Sequence, residues 1–454
     1  MATREDETDA AEKGIATDKA GEKNDIDRGL GDTLLEPKTD TPEHIYPDGG
    51  WRAWLVVTAA FFTFFFTVGL QYCSGTYIRF FYYNQTFGSA SFTVISFISS
   101  VNNSGFPIAG PIVGSLAESK GPRFTVILGG IIAGASYIIA SFSPGIWFSI
   151  LFQGFFFSVG EVMVYMAGVR IVSMYFNRVR GLALGVALGG SGIGGLVMAV
   201  VTQRLLDTAG WQWALRVEGI VVVATALLAS LLFTSIQPPN PRRVSLLASA
   251  RSYFRDSRFV ILWISNAIAF FGYFIPFSYL PSYATQVGID ASRASLVLGI
   301  TNGGSAAGRI ALGYFADKFG YLNMYVLCQI ITPVAMLFWP ITTSFPGLIA
   351  FGLAYGFSAG GWISSQPTML ASAFGGDNIT GRLGVIMSAT LAGALGGSPL
   401  AGAILDSRTT YDETGKAVID FVPMILFGGI TMLVGNLMLV WVWGQSTRWR
   451  LKKV

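Results

Sequence analysis

Two stretches of this chain repeat one pattern, GSLAESKGPR at residues 114–123 and GYFADKFG at residues 313–320. Each has a glycine, a carboxylate four residues later and at least one basic residue, and each lies between two long apolar segments. The copies are about half a chain apart, so the repeating unit spans several such segments. A period of that length excludes short-repeat solenoids and predicts a membrane protein built from two homologous helical bundles.

The composition agrees with a chain embedded in lipid, because 52% of the 454 residues are hydrophobic and only 12% are charged. The apolar segments are mostly close to the roughly 20 residues that a helix needs to cross the hydrocarbon core. They lack the alternation of strands, so we expect an all-α membrane protein with twelve transmembrane helices in two pseudo-symmetric six-helix bundles. The predicted spans are 53–73, 92–114, 124–142, 146–173, 181–203, 213–235, 259–281, 294–315, 321–342, 347–372, 383–405 and 421–443.

Basic residues predict the orientation, since the cytosolic loops of membrane proteins are enriched in Lys and Arg. A cytosolic N-terminus places most of the loop Lys and Arg inside, and the even helix count then puts both termini there. The plasma membrane is the expected location, with an internal membrane as the alternative. The predicted parts are a disordered tail at 1–50, an N-terminal bundle at 51–236, a cytosolic linker at 237–258, a C-terminal bundle at 259–444 and a cytosolic tail at 445–454.

The residues of common enzyme and metal sites are scarce. The two cysteines, Cys73 and Cys328, lie in or at the edge of apolar segments, where they are interpreted as small core residues. The only histidine, His44, falls in the predicted tail, which leaves no histidine relay or catalytic triad. The run Gly190–Gly195 fits G-x-G-x-x-G, but it interrupts an apolar helix and predicts close helix packing or a bend. We therefore expect no enzyme activity, cofactor, metal or nucleic-acid partner.

The repeated loops have a mechanical interpretation, in which their charges pair with neighbouring helix ends in one conformation and separate in the other. Anchoring at the membrane edge by charge is the alternative. The loops resemble those after helices two and eight of the major facilitator superfamily, which implies two bundles that rock around a central site. The residues expected to act in gating are Gly114, Glu118, Arg123, Arg178, Arg180, Gly313, Asp317 and Lys318.

Four further segments resemble the monocarboxylate porter family within that superfamily. They are YPDGGW at 46–51, MYFNRVRGLALG at 174–185, RIALG at 309–313 and SPLAG at 398–402 followed by Asp406. Together they extend over nearly all of the chain after the tail. The resemblance implies transport of a small organic acid at a site that includes Arg309.

The chain also departs from the animal members of that family. Arg52 stands where a glycine usually follows the signature tryptophan. Ser305 replaces a helix-eight carboxylate, and residues 69–75 contain no counterpart of a first-helix lysine. Proton coupling of the lactate-transporter type is therefore not implied. The chain is more similar to the fungal branch, whose substrates include organic acids, vitamins and secondary metabolites.

Arg309 lies inside a predicted helix, where an ionised group costs about 2.5–3.5 kcal/mol and persists mainly for function or pairing. Its planar guanidinium can hold a carboxylate by two parallel hydrogen bonds. We predict that it binds an anionic solute, with a structural pair to Asp317 or to a neighbouring helix as the alternative. Tyr72, Asn302 and Gln153 are polar residues expected to line the same site.

Glu161 lies near the middle of the fourth predicted helix, at the depth of a central binding site. A carboxyl group there can exchange a proton as the cavity opens to each side in turn, since desolvation favours its neutral form and water favours its charged form. We predict proton coupling at Glu161. A permanently neutral acid, hydrogen-bonded to another helix, is the alternative.

The sequence thus predicts a secondary active or facilitative transporter that works by alternating access. A monocarboxylate-like anion is the first candidate for its solute. Efflux of a fungal secondary metabolite is the close alternative, and a nutrient receptor that no longer transports is a third. The expected partners are a small organic solute, with or without a coupled proton, and the lipid bilayer. No oligomeric state is favoured.

Overall fold

The structure, a computed structural model, describes residues 48–176, 179–234, 236, 251–374, 379–411 and 417–447. Nearly all of the predicted N-terminal tail and most of the predicted linker and C-terminal tail lie outside the described residues. Within the described residues, helices follow one another as twelve segments, which we label α1–α12. The all-α fold class is confirmed.

The N-terminal half contains six of these segments, and several of them are interrupted. Their bounds are α1 (Trp51–Phe66, Val68–Gln71 and Ser74–Tyr83), α2 (Phe92–Asn103 and Gly105–Lys120), α3 (Pro122–Ala140), α4 (Ile146–Ser149, a π-helical turn Ile150–Phe156 and Phe157–Tyr175), and α5 and α6, which share the continuous stretch Arg180–Leu232. Gly210 divides α5 from α6, because its φ of 78° is not helical.

The C-terminal half contains the other six segments. Their bounds are α7 (Ser257–Tyr273 and Ile275–Gln286), α8 (Ala291–Phe319), α9 (Tyr321–Phe338 with the 3-10 turn Trp339–Ile341), α10 (Phe345–Phe374), α11 (Ile379–Ser407) and α12 (Val422–Thr447). Two short strands lie between α11 and α12, β1 (Thr409–Tyr411) and β2 (Ala417–Ile419). They pair antiparallel, with Thr410 opposite Val418. The apolar pattern did not predict this hairpin.

Length and hydropathy support membrane crossing along most of this succession. Nine helical stretches of the described chain are long and apolar enough to span a bilayer. One of them, Leu182–Leu232, contains both α5 and α6. The segments α2 and α8 complete the series, so the described helices are consistent with the predicted twelve crossings.

The repeated loops adopt the same backbone form in both halves. Gly121 separates α2 from α3 with φ 86° and ψ 161°, and Gly320 separates α8 from α9 with φ 94° and ψ 138°. A side chain is strained at such positive φ values, which explains why glycine occupies the equivalent place in each copy. Gly114 and Gly313, the first glycines of the copies, lie inside α2 and α8. The duplication seen in the sequence is therefore present in the fold.

Among the described residues, the two halves are joined most extensively by three helix pairs, α1 with α7, α2 with α11 and α5 with α8. We call the face that carries the loops 84–91 and 287–290 and the strands β1 and β2 the distal face. The two halves are in contact near it, where Phe92 of α2 is fully buried between Tyr82 of α1 and Tyr279 of α7. The ring centroid of Phe92 lies 3.6 Å from that of Tyr82 and 5.9 Å from that of Tyr279. The structure is therefore closed at the distal face.

Candidate functional site

Arg309 of α8 is held between the two halves of the molecule, and its side chain is buried. Nη1 donates hydrogen bonds to the hydroxyl of Ser191 and to the carbonyl oxygen of Leu188, both on α5. Nη2 donates to the hydroxyl of Tyr72 on α1 at 3.0 Å. Nε has no hydrogen-bond partner among the described residues. One guanidinium therefore connects three helices, and its Nε is available for a further hydrogen bond.

Asn302 lies two turns before Arg309 on α8 and reaches the same helix, α1. Its Nδ2 donates to the carbonyl oxygen of Tyr72 at 3.3 Å. That oxygen is available because α1 is broken here, and the amide of Thr76 bonds to Cys73 O. The Oδ1 of Asn302 is buried and has no partner among the described residues. The structure thus brings Arg309, Tyr72 and Asn302 together, as three of the four predicted binding residues.

Small residues let α5 approach α8 closely at this site. A Cβ added to Gly195 would lie 2.8 Å from Cγ of Asn302, and one added to Gly192 would lie 2.6 Å from Cβ of Ala306. On its other side, α5 presents Gly194 to the backbone of α1 at Phe65. The G-x-G-x-x-G run therefore packs helices in this fold, which agrees with the interpretation drawn from the sequence.

Aromatic rings surround the guanidinium of Arg309. Its central carbon lies 5.6 Å from the centroid of the Tyr72 ring. Tyr72 in turn contacts Phe277 of α7, with 5.3 Å between ring centroids. Tyr165 of α4 and Tyr273 of α7 lie close enough to interact with its charge. The charge of Arg309 thus sits in a largely aromatic environment shared by both halves.

Gln153, the fourth predicted binding residue, lies elsewhere, at a cavity inside the N-terminal half. The cavity is lined by Leu70, Gln71, Ser74, Tyr77, Ile78, Phe81, Ile98, Ser99, Asn102, Tyr137 and Gln153. Gln153 is buried, and its Oε1 has no partner among the described residues. The predicted set of four is therefore divided between two places.

Glu161 belongs to the neighbourhood of this second place, because Asn102 of the cavity wall faces its carboxyl group. The side chain of Glu161 is fully buried. Neither carboxyl oxygen has a hydrogen bond of normal geometry to a described residue. A carboxyl group in such surroundings is stable only as the neutral acid or with a bound cation.

The gating residues are less completely described. Arg178 lies outside the described residues, as do the side chains of Glu118, Arg180 and Asp317. For Gly114 and Gly313 the structure describes only their place in a helix. Arg123 is exposed, and Lys318 is exposed with its Nζ 4.6 Å from the centroid of the Tyr314 ring. The gating role of these residues stays a prediction.

Three polar contacts were missed by the sequence analysis. Glu218 of α6 is buried and bonded to Tyr77 and Thr202. Gln203 of α5 bonds to α1 and α8, and Asp406 of α11 bonds to the first turn of α2. A signal existed for Glu218, since it is a lone carboxylate within the apolar span 213–235. Asp406 was noted only as part of a motif, because pairing between halves cannot be read from spacing.

Residues 60–321 and again 262–450 match the sequence pattern of the Major Facilitator Superfamily, so the matches together cover most of the chain. The chain belongs to this superfamily. The MFS-type transporter pynF of Aspergillus niger is 29% identical over 389 residues, which are 85% of this chain and 88% of that relative. The agnestins efflux protein AgnL12 of Paecilomyces divaricatus is 28% identical over 396 residues, which are 86% and 87% of the two chains.

A solved structure of the nucleoside transporter NupG superposes on this major facilitator with a TM-score of 0.67. The alignment covers 87% of this chain and 99% of that one at 13% identity, so it shows the common fold alone. Fold and superfamily together establish a multi-pass membrane transporter for small-molecule solutes.

Proposed function

We propose that this major facilitator transports an organic anion, bound at Arg309 between the two halves. The observation that carries the proposal is the state of the guanidinium, which is buried and held only by neutral groups. Among the described residues, Arg309 forms no ion pair, and its Nε is unused. A buried charge without a counter-ion is costly, so an anionic ligand would stabilise it. Tyr72 and Asn302 are proposed to orient that ligand.

The solute that we propose is an acidic, partly aromatic metabolite, and the direction is efflux. The rings of Tyr72, Tyr165, Tyr273 and Phe277 around Arg309 suit an aromatic solute better than a small aliphatic one. Export is supported by the relative whose name states efflux of agnestins. The monocarboxylate porter motifs favour a small monocarboxylate as the second candidate.

Transport is proposed to follow alternating access, with both termini cytosolic and the protein in the plasma membrane. The twin loops at 114–123 and 313–320 are proposed to close the face opposite the distal face in the alternate state. Their charges and their equivalent places in the two halves suggest this role. Glu161 is proposed to bind the coupled proton, since its buried carboxyl group has no hydrogen bond to a described residue. Gln153 is proposed to support that site and not the solute.

The test is uptake of aromatic carboxylic acids, and of their methyl esters, into proteoliposomes that contain the purified chain. We expect the acids to be transported and the esters to be transported at least tenfold more slowly, because the esters cannot pair with Arg309. Arg309→Ala should abolish the preference, whereas Arg293→Ala should keep it, since Arg293 on the same helix is exposed and paired with Asp290. Equal transport of acids and esters by the wild type would overturn the proposal.

A further inference from the structure

Glu218 of α6 is a buried carboxyl group that the proposed transport site does not use. Its side chain is 1% exposed. Oε2 accepts a hydrogen bond of 2.7 Å from the hydroxyl of Tyr77 on α1. Oε1 accepts one of 2.5 Å from the hydroxyl of Thr202 on α5. The carboxyl group therefore joins three helices of the N-terminal half.

Among the described residues, the groups near Glu218 carry no positive charge. From α1 these are Tyr77, which is hydrogen-bonded to it, and the thiol of Cys73, and from α3 the hydroxyl of Tyr137. From α5 it is the neutral Thr202. Arg216 of α6 donates to Ser141 instead. A carboxylate without a cation in this position is strongly disfavoured, so the closed structure holds Glu218 as the neutral acid.

A proton on Glu218 needs an acceptor, and the neighbouring hydroxyl groups provide one. The Thr202 hydroxyl can turn its hydrogen toward the helix carbonyl four residues earlier, and its oxygen then accepts from the acid. The Tyr77 hydroxyl continues to donate to the other carboxyl oxygen. Both carboxyl oxygens thus stay satisfied when the group is neutral.

A route for the proton lies beside Glu218 and its two partners, Tyr77 and Thr202, which we call the Glu218 cluster. Tyr77 and Tyr137 belong to the wall of the cavity inside the N-terminal half, as do Asn102, which lies beside Glu161, and Gln153, whose Oε1 has no partner among the described residues. Tyr77 is also hydrogen-bonded to Glu218, so the cavity wall adjoins both buried acids. The wall carries hydroxyl and amide groups that hydrogen-bond water.

The next residue of α5 connects the cluster to the other half. Gln203 follows Thr202, and its Oε1 accepts from Arg79 Nη2 of α1 at 3.0 Å and from Ser295 Oγ of α8 at 2.9 Å. Of these two consecutive residues of α5, Thr202 is hydrogen-bonded to Glu218, and Gln203 is hydrogen-bonded to α8 of the other half near the distal face. A shift of α5 at Thr202 must also move Gln203.

We propose that Glu218 is a second proton-binding site of this transporter and that its proton stabilises the closed distal face. When α5 and α8 separate, water reaches the cluster and accepts the proton from the Glu218 carboxyl group, leaving a carboxylate and hydronium. The carboxylate then opposes reburial until it is protonated again. The proposal rests on alternating access but on neither Arg309 nor the identity of the solute.

The experiment measures closure of the distal face against pH in the purified full chain, without any solute. Spin labels at Thr208→Cys on α5 and Ser292→Cys on α8, both at exposed positions, report the distance between the halves. All variants carry Cys73→Ala and Cys328→Ala, which removes the native thiols. We expect the ratio of open to closed molecules to rise at least tenfold between pH 5 and pH 9.

Glu218→Gln should stay closed at every pH, because a neutral amide mimics the protonated acid. Tyr77→Phe tests the same site with less risk to folding, and it should move the midpoint of the transition. The measurement contains no solute, so failure of the anion site would not affect this result. A wild type insensitive to pH, or a Glu218→Gln variant that still opens as pH rises, would overturn the proposal.

Discussion

At Arg309, two of the three guanidinium nitrogens bind hydroxyl and carbonyl groups of α1 and α5, and the third, Nε, has no partner in the described part of the chain. This arrangement fixes the plane of the guanidinium without neutralising it. A carboxylate could approach Nε and one Nη together, which is the two-pronged geometry that arginine favours. The sequence identified this residue because a charge inside an apolar span is expensive.

Tyr72→Phe tests how much the anchoring matters. The substitution removes the hydroxyl that accepts from Nη2 of Arg309 but keeps the ring. Hydrogen bonds to charged groups contribute about 1.5–3 kcal/mol, so solute affinity should fall by at least about tenfold. The measurement is the concentration dependence of transport. Tyr314→Phe on α8, the helix of Arg309, is the control, since Tyr314 is exposed. An unchanged affinity in Tyr72→Phe would contradict the anchoring role.

At the scale of helices, glycines decide how closely α5 and α8 pack. Gly192→Ala should force the two helices apart, because the new Cβ would lie 2.9 Å from the backbone nitrogen of Ala306. We expect at least a tenfold loss of transport together with lower thermal stability. Gly185→Ala is the matched control on α5, since nothing lies within 4 Å of a Cβ there. Equal losses in both variants would show that the lost flexibility of glycine, and not close packing at Gly192, is responsible.

Asp406 connects α11 to the start of α2. Its carboxylate accepts from the amides of Phe92 and Thr93 at 2.9 and 3.0 Å, and from the Thr93 hydroxyl. This is a helix N-cap supplied by the opposite half. Asparagine would keep one acceptor oxygen but would lose the other with its hydrogen bonds, which costs about 1 kcal/mol. Asp406→Asn should therefore raise the open fraction of the distal face about fivefold, measured by spin-label distances.

Asp290→Asn is the control for that measurement, because Asp290 caps α8 within its own half by accepting from the amide of Arg293. It should lower stability slightly and leave the open fraction unchanged. A distal face that stays closed in Asp406→Asn would show that the cap does not hold the halves together.

At the scale of the whole molecule, the periodicity and charge of the sequence predicted the fold. They could not predict which residues of the two halves are in contact. The apolar spans and the duplicated loops were sufficient to predict the order of the helices. In lipid every backbone N–H and C=O group must be paired within the protein, and a helix does this within one segment. The sequence did not separate Gln153 from the residues around Arg309, since depth in the membrane does not reveal which way a helix face points. Glu218 was missed, although the same rule about charges in lipid applied to it.

Proton coupling is a property of the whole cycle, and Glu161→Gln tests it. A glutamine cannot carry the proton, so exchange of solute across the membrane should continue while its dependence on a pH gradient disappears. The measurement compares solute accumulation in proteoliposomes with and without an imposed gradient. Glu161→Asp, which retains the acid, is the control and should keep the gradient dependence. Full coupling in Glu161→Gln would assign the proton to another group.

Alternating access around Arg309 is the central claim, and the reactivity of a single thiol tests it most directly. Ser191→Cys places a thiol beside the guanidinium in a chain without Cys73 and Cys328. During transport, membrane-impermeant thiol reagents should modify this cysteine from either side, and an anionic solute should protect it from both. Modification from one side only, or no protection by any solute that the protein carries, would contradict the account.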